Sequence, residues 1–290
     1  MFYHIKELQY EANPSCPDPA FANKMQEILG GQYGEISVMM QYLFQGFNGR
    51  SEKKYRDLCL DIGTEEIGHV EILATLIARL LEGASVAEQE AAYLGNPVLA
   101  AVMGGMNPQH VIVSGLGAMP VDSMGNKWSA DYIGASGNLL ADFRANLMAE
   151  SQGRLQAVRL YELSDDPGVK DTLSFLIARD TGHQNQWMAA ISELEEREGD
   201  IVVPTTFPRH LEKQAVSYDF YNLSRGDASK NGRWATGPSM DGRGENHYVE
   251  QPGPFAGKPK LPPAPPNVHD TPKFAGYHQP SAGSMIDPMF

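Results

Sequence analysis

The chain has 290 residues, with 23 Lys and Arg against 36 Asp and Glu, a formal net charge of −13, and 42% hydrophobic residues. Acidity of this size, spread along the chain, repels phosphate backbones and anionic lipid, which excludes nucleic acid and an anionic membrane as the main partner. Two cysteines, Cys16 and Cys59, cannot build a disulfide framework. No stretch is apolar for long enough to span a bilayer, and the start Met1-Phe-Tyr-His-Ile-Lys-Glu7 lacks the basic-then-apolar pattern of a secretion signal. The expected location is the cytoplasm.

In chain order, residues 1–17 are irregular, closed by Asn13-Pro14 and Cys16-Pro17. Asp18-Pro19 is an N-cap followed by proline at the first helical position, and helix A is expected over 18–48, ended by Asn48-Gly49. Helix B follows over 51–82, and Cys59 falls in its pattern as a small buried hydrophobe. Residues 83–135 are rich in Gly and Pro, with short helices expected near 84–93 and 97–103. Helix C is expected over 136–163, and Asp166-Pro167 starts helix D over 167–198. Residues 201–290 lose apolar periodicity and hold Leu261-Pro-Pro-Ala-Pro-Pro266. A segment of that composition cannot build a core of its own. Its aromatics (Tyr218, Phe220, Tyr221, Trp234, Tyr248, Phe255, Phe274, Tyr277) favour an extended tail laid over the bundle or a neighbouring subunit. The expected fold is all-α, a ferritin-like four-helix bundle over 1–200 with a long Gly-rich crossover between helices B and C.

Each helix carries ionisable residues on its apolar stripe. Helix A has Glu35 beside Ile28, Gln32, Met39 and Tyr42; helix B has Glu66 and His69 among Leu58, Ile62, Leu73 and Leu76. Helix C has Glu150 with Leu139, Phe143, Leu147, Ala157 and Tyr161; helix D has Asp180 and His183 with Leu173, Leu176, Trp187 and Ile191. Taken singly, a glutamate is more often a solvated helix residue and a histidine a satisfied core group. Taken together, buried carboxylates with no cation partner in the pattern call for metal. The order Glu; Glu-x-x-His; Glu; Asp-x-x-His follows the dinuclear carboxylate bundles. Oxygen and imidazole donors without thiolate suit manganese or iron. Asp180 is a methylene short of glutamate and is expected to orient a ligand rather than bind metal. Glu65, Glu71 and Arg154 lie off the stripe, solvated or beside the site.

The sequence resembles the non-haem manganese catalases over nearly its whole length. The resemblance rests on Met1-Phe-Tyr-His-Ile-Lys-Glu-Leu-Gln-Tyr10, the Glu35 helix with Tyr42, Glu65-Glu66-Ile-Gly-His69, the excursion from Gly105-Met-Asn-Pro-Gln-His110 to Ala118, and the Gly/Pro-rich tail. It implies disproportionation of hydrogen peroxide by two manganese ions cycling between the divalent and trivalent pairs. By the family pattern Glu66 bridges both ions, Glu35 and His69 complete one, Glu150 and His183 the other, and Tyr42 hydrogen-bonds near the cluster. Some members have an arginine before the helix C glutamate; Ala149 stands there in this chain. Some members bind calcium between subunits, which points to Asp57 and Asp61 with Asn222, Ser224 and Gly226 of Asn222-Leu-Ser-Arg-Gly226; an exposed acidic pair is the plain alternative for the two aspartates. The resemblance also implies a homo-oligomer, a hexamer by preference, and some bacterial relatives sit in spore coats. The competing functions are a di-iron oxidase on the same bundle and a ferritin-like metal-storage or spore-coat protein.

Overall fold

The computed structural model describes residues 3–82, 107, 109–199, 207–251, 253 and 261–262. The chain divides into two compact units, Met1–Leu211 and Glu212–Phe290. The helices expected near 84–93 and 97–103 and the tail beyond 262 lie outside the described residues.

In the first unit, α1 (Pro19–Gly30) begins where Asp18 accepts from the Phe21 amide, with Pro19 in the first turn. α2 (Glu35–Asn48) and α3 (Lys53–Leu80) follow, joined by a tight turn. With 28 residues, α3 is about 42 Å long at 1.5 Å per residue. After the short α4 (Gln109–Ile112) and a 3-10 turn (Ala130–Tyr132) come α5 (Leu139–Leu163), capped by Asn138, and α6 (Pro167–Glu198). Asp166 caps α6 by accepting from the Gly168 and Val169 amides through Oδ1, and its Oδ2 accepts from Ser15 N at 2.8 Å. α2 packs along α3, and α5 along α6. No described helix is long and apolar enough to cross a membrane.

The expected single helix over 18–48 is two helices. The chain leaves helical geometry at Gly31, which is extended (φ −72°, ψ 175°), and re-enters after Gly34, also extended. The cause is close packing. Gly30 lies directly against the backbone of Val121, where a Cβ would overlap it. The freed Gly31 carbonyl accepts from Ser37 Oγ at 2.9 Å, and Ser37 Oγ in turn accepts from Trp128 Nε1 at 3.0 Å. Gln32, expected on the buried face, falls in this break and is exposed. Glu35 becomes the first residue of α2, where the unpaired amides of a helix start favour negative charge.

Two apolar clusters bracket one polar layer. One contains Phe21, Met25, Ile28, Ile72, Leu76, Leu160, Leu173 and Leu176; the other contains Tyr42, Tyr55, Cys59, Ile62, Phe143, Trp187 and Ile191. Glu66 and His69 on α3, Glu150 on α5, and Asp180 and His183 on α6 fall between them in sequence and are all buried. On α5 the buried face runs Leu140, Phe143, Asn146 and Glu150, while the expected Leu139, Leu147 and Tyr161 are partly exposed. Asn146 can sit inside because Gln41 and Gln45 donate to its Oδ1 at 2.9 Å each and its amide donates to Gln45 at 2.7 Å.

The second unit contains a parallel pair of short strands, β1 (Phe220–Asn222) and β2 (Asn246–Tyr248), and a four-residue helix, α7 (Asp227–Lys230).

Candidate metal centre

Glu66 is the hub of the polar layer. Its Oε2 lies 2.6 Å from His69 Nδ1 and its Oε1 lies 2.7 Å from His183 Nδ1. Glu35 Oε2 is 3.7 Å from His69 Nδ1, and Glu150 Oε1 is 3.6 Å from His183 Nδ1. Two donor groups result, Glu35 with Glu66 and His69, and Glu66 with Glu150 and His183, each with its ligand atoms within 4.8 Å of one another. Glu66 belongs to both.

The short Glu66–histidine distances are not hydrogen bonds. Both Glu66 oxygens, both His69 nitrogens and His183 Nδ1 are buried with no hydrogen-bonding partner among the described residues. Polar atoms brought this close, unaligned with one another and dry, are aimed at shared points between them. Left empty, such points cost several kcal/mol of desolvation. The residues present therefore fit a pair of hard divalent cations.

The charges show the same demand. Burial and the Glu66 charge push Glu35 up to about 8 against the pull of His69. Burial alone would raise Glu66, but His69 and His183 outweigh it and hold that carboxyl far below the usual range. Burial would lower both imidazoles; the surrounding carboxylates reverse this, holding His69 well above its ordinary value and His183 at about 12. Burial with the Glu35, Glu150 and Glu66 charges raises the Asp180 carboxyl well above the usual carboxylate range. Without a cation the site must hold protons instead.

Tyr42 donates its hydroxyl to Glu150 Oε1 at 2.7 Å. Asp180 is buried but belongs to neither donor group, and no described residue hydrogen-bonds its carboxylate. The outer imidazole nitrogens face Glu65, the residue the stripe pattern set aside. His183 Nε2 donates to Glu65 Oε2 at 3.0 Å, and His69 Nε2 lies 3.7 Å from Glu65 Oε1. Such a partner fixes the tautomer that leaves Nδ1 free for metal. Arg179 binds Glu65 from two nitrogens, at 2.6 and 3.1 Å, a charge-assisted fork. The signal available in the sequence was the pair Glu65-Glu66 itself: adjacent helix residues point about 100° apart, so one faces inward and the next flanks the histidines. Glu71 pairs with His4, and Arg154 donates to Thr181. Ala149 is buried. Glu35, at 11% exposure, is the most accessible of the five candidate ligands, which otherwise reach at most 3%.

These features define a helical bundle of the ferritin type with a buried carboxylate and histidine candidate metal site. The chain belongs to the manganese-containing catalase family, whose sequence profile matches residues 1–282. It is 69% identical over 271 residues to the uncharacterized protein YjqC of Bacillus subtilis strain 168, and 61% identical over 271 residues to a manganese catalase of the same strain; each match covers 93% of this chain and 98% of the relative. The crystal structure of KatB, a manganese catalase from Anabaena, aligns with a TM-score of 0.65 and 31% identity, covering 87% of this chain and all of KatB.

Proposed function

We propose that the bundle holds two manganese ions, one between Glu35, Glu66 and His69 and one between Glu66, Glu150 and His183. On them the chain acts as a manganese catalase, converting two molecules of hydrogen peroxide into two of water and one of dioxygen. When bound, the ions supply a reversible two-electron change, from the divalent to the trivalent pair and back. The observation that carries the assignment is Glu66, buried, shared by both donor groups, with two oxygens that no hydrogen bond from the described residues satisfies.

The protein's own groups do the rest. Oxidation of one peroxide releases two protons and reduction of the next consumes them, so a group near the ions must hold and return them. Glu35 Oε2 lies at the accessible edge, where a carboxylate oxygen can take up and return a proton. Tyr42, held far above its ordinary value by burial and the Glu150 charge, stays a neutral donor that fixes Glu150 Oε1. Asp180, buried in the same layer between Leu176 and His183 on α6, is placed to orient the groups around it. The apolar clusters on both sides exclude bulk water and bulky reductants.

The proposal extends to assembly and location. Exposed Phe44, Phe47, Met148, Leu155 and Met188 on the bundle support self-association, for which a hexamer is expected. The resemblance extends the proposal to calcium held between subunits, by Asp57 and Asp61, one turn apart on α3, of one copy and by Asn222, Ser224 and Gly226 of another; sedimentation with and without a calcium chelator tests both points. The location is the cytoplasm, with the spore coat as the alternative that fractionation would reveal. The central experiment is oxygen evolution from peroxide by manganese-loaded protein, wild type beside Glu66→Ala. Rapid evolution lost in the variant supports the assignment. No evolution from wild type shown to hold two manganese per chain overturns it.

A further inference from the structure

We propose that Arg179 and Gln9 are positioning residues for the metal centre, acting through Glu65, and that the N-terminal segment serves as a strap that delivers Gln9. The inference rests on the manganese assignment. Glu65 stands behind both histidines, hydrogen-bonded to His183 Nε2 at 3.0 Å and 3.7 Å from His69 Nε2, so its placement bears directly on the His183 imidazole and by charge on that of His69. Its Oε1 accepts from Arg179 Nε at 2.6 Å and from Gln9 Nε2 at 2.9 Å; its Oε2 accepts from Arg179 Nη2 at 3.1 Å and from His183 Nε2 at 3.0 Å. Both oxygens are therefore held, from α6 on one side and from a segment 56 residues away in sequence on the other.

That segment is fastened at successive points. The Tyr10 ring stacks on Phe175 at 4.3 Å with the planes 3° apart, and the Tyr10 hydroxyl donates to Asp171 at 3.0 Å. Thr172 Oγ1 donates to the Glu11 carbonyl at 3.0 Å, and Arg79 donates to the Ala12 carbonyl at 2.8 Å. Phe175 meets His69 edge-on at 6.4 Å. The strap thus reaches the histidines by two routes, polar through Gln9 and Glu65, and apolar through Tyr10 and Phe175. Gln9 is itself exposed, so its bond adds little to global stability; its leverage is on the direction of Glu65. Loss of an outer partner of a metal-bound histidine lowers metal affinity by about 10–100-fold.

The test is the rate at which manganese-loaded, full-length protein loses metal to excess chelator, read as manganese remaining after desalting. Thermal unfolding is measured alongside. Arg179→Leu should release manganese about tenfold faster or more. Gln9→Met, which keeps length and removes the donor, should speed release by a smaller factor; Gln9→Glu should exceed it, because a carboxylate repels Glu65. In a Glu65→Leu background neither Arg179→Leu nor Gln9→Met should add a further effect, since their route is gone. Tyr10→Phe keeps the stack and drops only the Asp171 bond; it is expected to lower the unfolding temperature and leave release unchanged. Release that is unchanged in Arg179→Leu and Gln9→Met, or effects that persist undiminished with Glu65→Leu, overturn the proposal while the catalase assignment stands. Wild type that holds no manganese overturns both.

Discussion

The Tyr42 hydroxyl lies 2.7 Å from Glu150 Oε1, in a layer where both side chains are buried. A hydrogen bond to a charged group contributes about 1.5–3 kcal/mol. Tyr42→Phe keeps the ring packed against Trp187 at 5.0 Å and removes only that donor. Loaded protein should lose about 1–3 kcal/mol in urea unfolding and turn over more slowly, with metal content unchanged. A variant equal to wild type in both would show that Glu150 needs no donor.

Manganese and protons compete for one site, so the stabilisation gained on metal loading should grow from pH 5 to pH 8. The metal-free protein has Glu35 raised to about 8 and His69 and His183 raised above their ordinary values. Across this window the metal-free native state binds more protons than the unfolded chain, so its stability falls as pH rises. Glu65 and Glu66 are lowered and act the opposite way, but their contribution is complete above the ordinary carboxylate value. Metal displaces the extra protons. Unfolding temperatures of metal-free and loaded protein, taken across that range, check the trend; a gap that narrows with pH would refute it.

Glu66→Gln should cost more metal than Glu150→Gln, because Glu66 belongs to both donor groups and Glu150 to one. The expected result is near-complete loss of manganese in the first and retention of about half in the second. Metal analysis after desalting decides it, and equal losses would remove Glu66 from its central position.

The two cysteines should react very differently. Cys16 is exposed, whereas Cys59 is buried and burial with the Asp142 charge pushes its thiol up to about 12. Only thiolate reacts. One thiol per chain should titrate with a disulfide reagent in native protein and both after unfolding.

Gly30→Ala should cost about 1–3 kcal/mol, since the added Cβ meets the Val121 backbone. The loss should appear in unfolding of the metal-free protein as well, because the contact lies outside the ligand set.

The four segments that meet in the buried polar layer were legible in the sequence because that layer breaks an otherwise apolar period: Glu66 and His69 between Ile62 and Leu73, and His183 between Leu176 and Trp187. The caps at Asp18 and Asp166 were legible for a similar reason, since a short polar side chain before a helical run has a local job, whereas the start of α5 was expected at 136 and Asn138 caps it at 139. The break at 31–34 was not. Its cause is a partner strand of chain around Val121, 91 residues from Gly30, which propensity cannot see. Arg179 was hidden, and Glu65 was placed only as solvated or beside the site, for a different reason. Charged residues beside an apolar stripe usually meet water, and only the fold shows that both histidines turn their outer nitrogens to one of them. Gln41, Gln45 and Asn146 escaped notice because three amides that satisfy one another look like surface until they are brought together.

Glu65 and His183 stand 118 residues apart in the chain. At 5–20 residues per second, synthesis of that interval takes roughly 6–24 s. Through that time Glu35, Glu66 and His69 exist without the helix that supplies their second half, and a cation held by them would be exposed and loosely bound. The donor group of Glu66, Glu150 and His183 is therefore complete only once most of α6 has been made, and until then the shared carboxylate of Glu66 stands half surrounded.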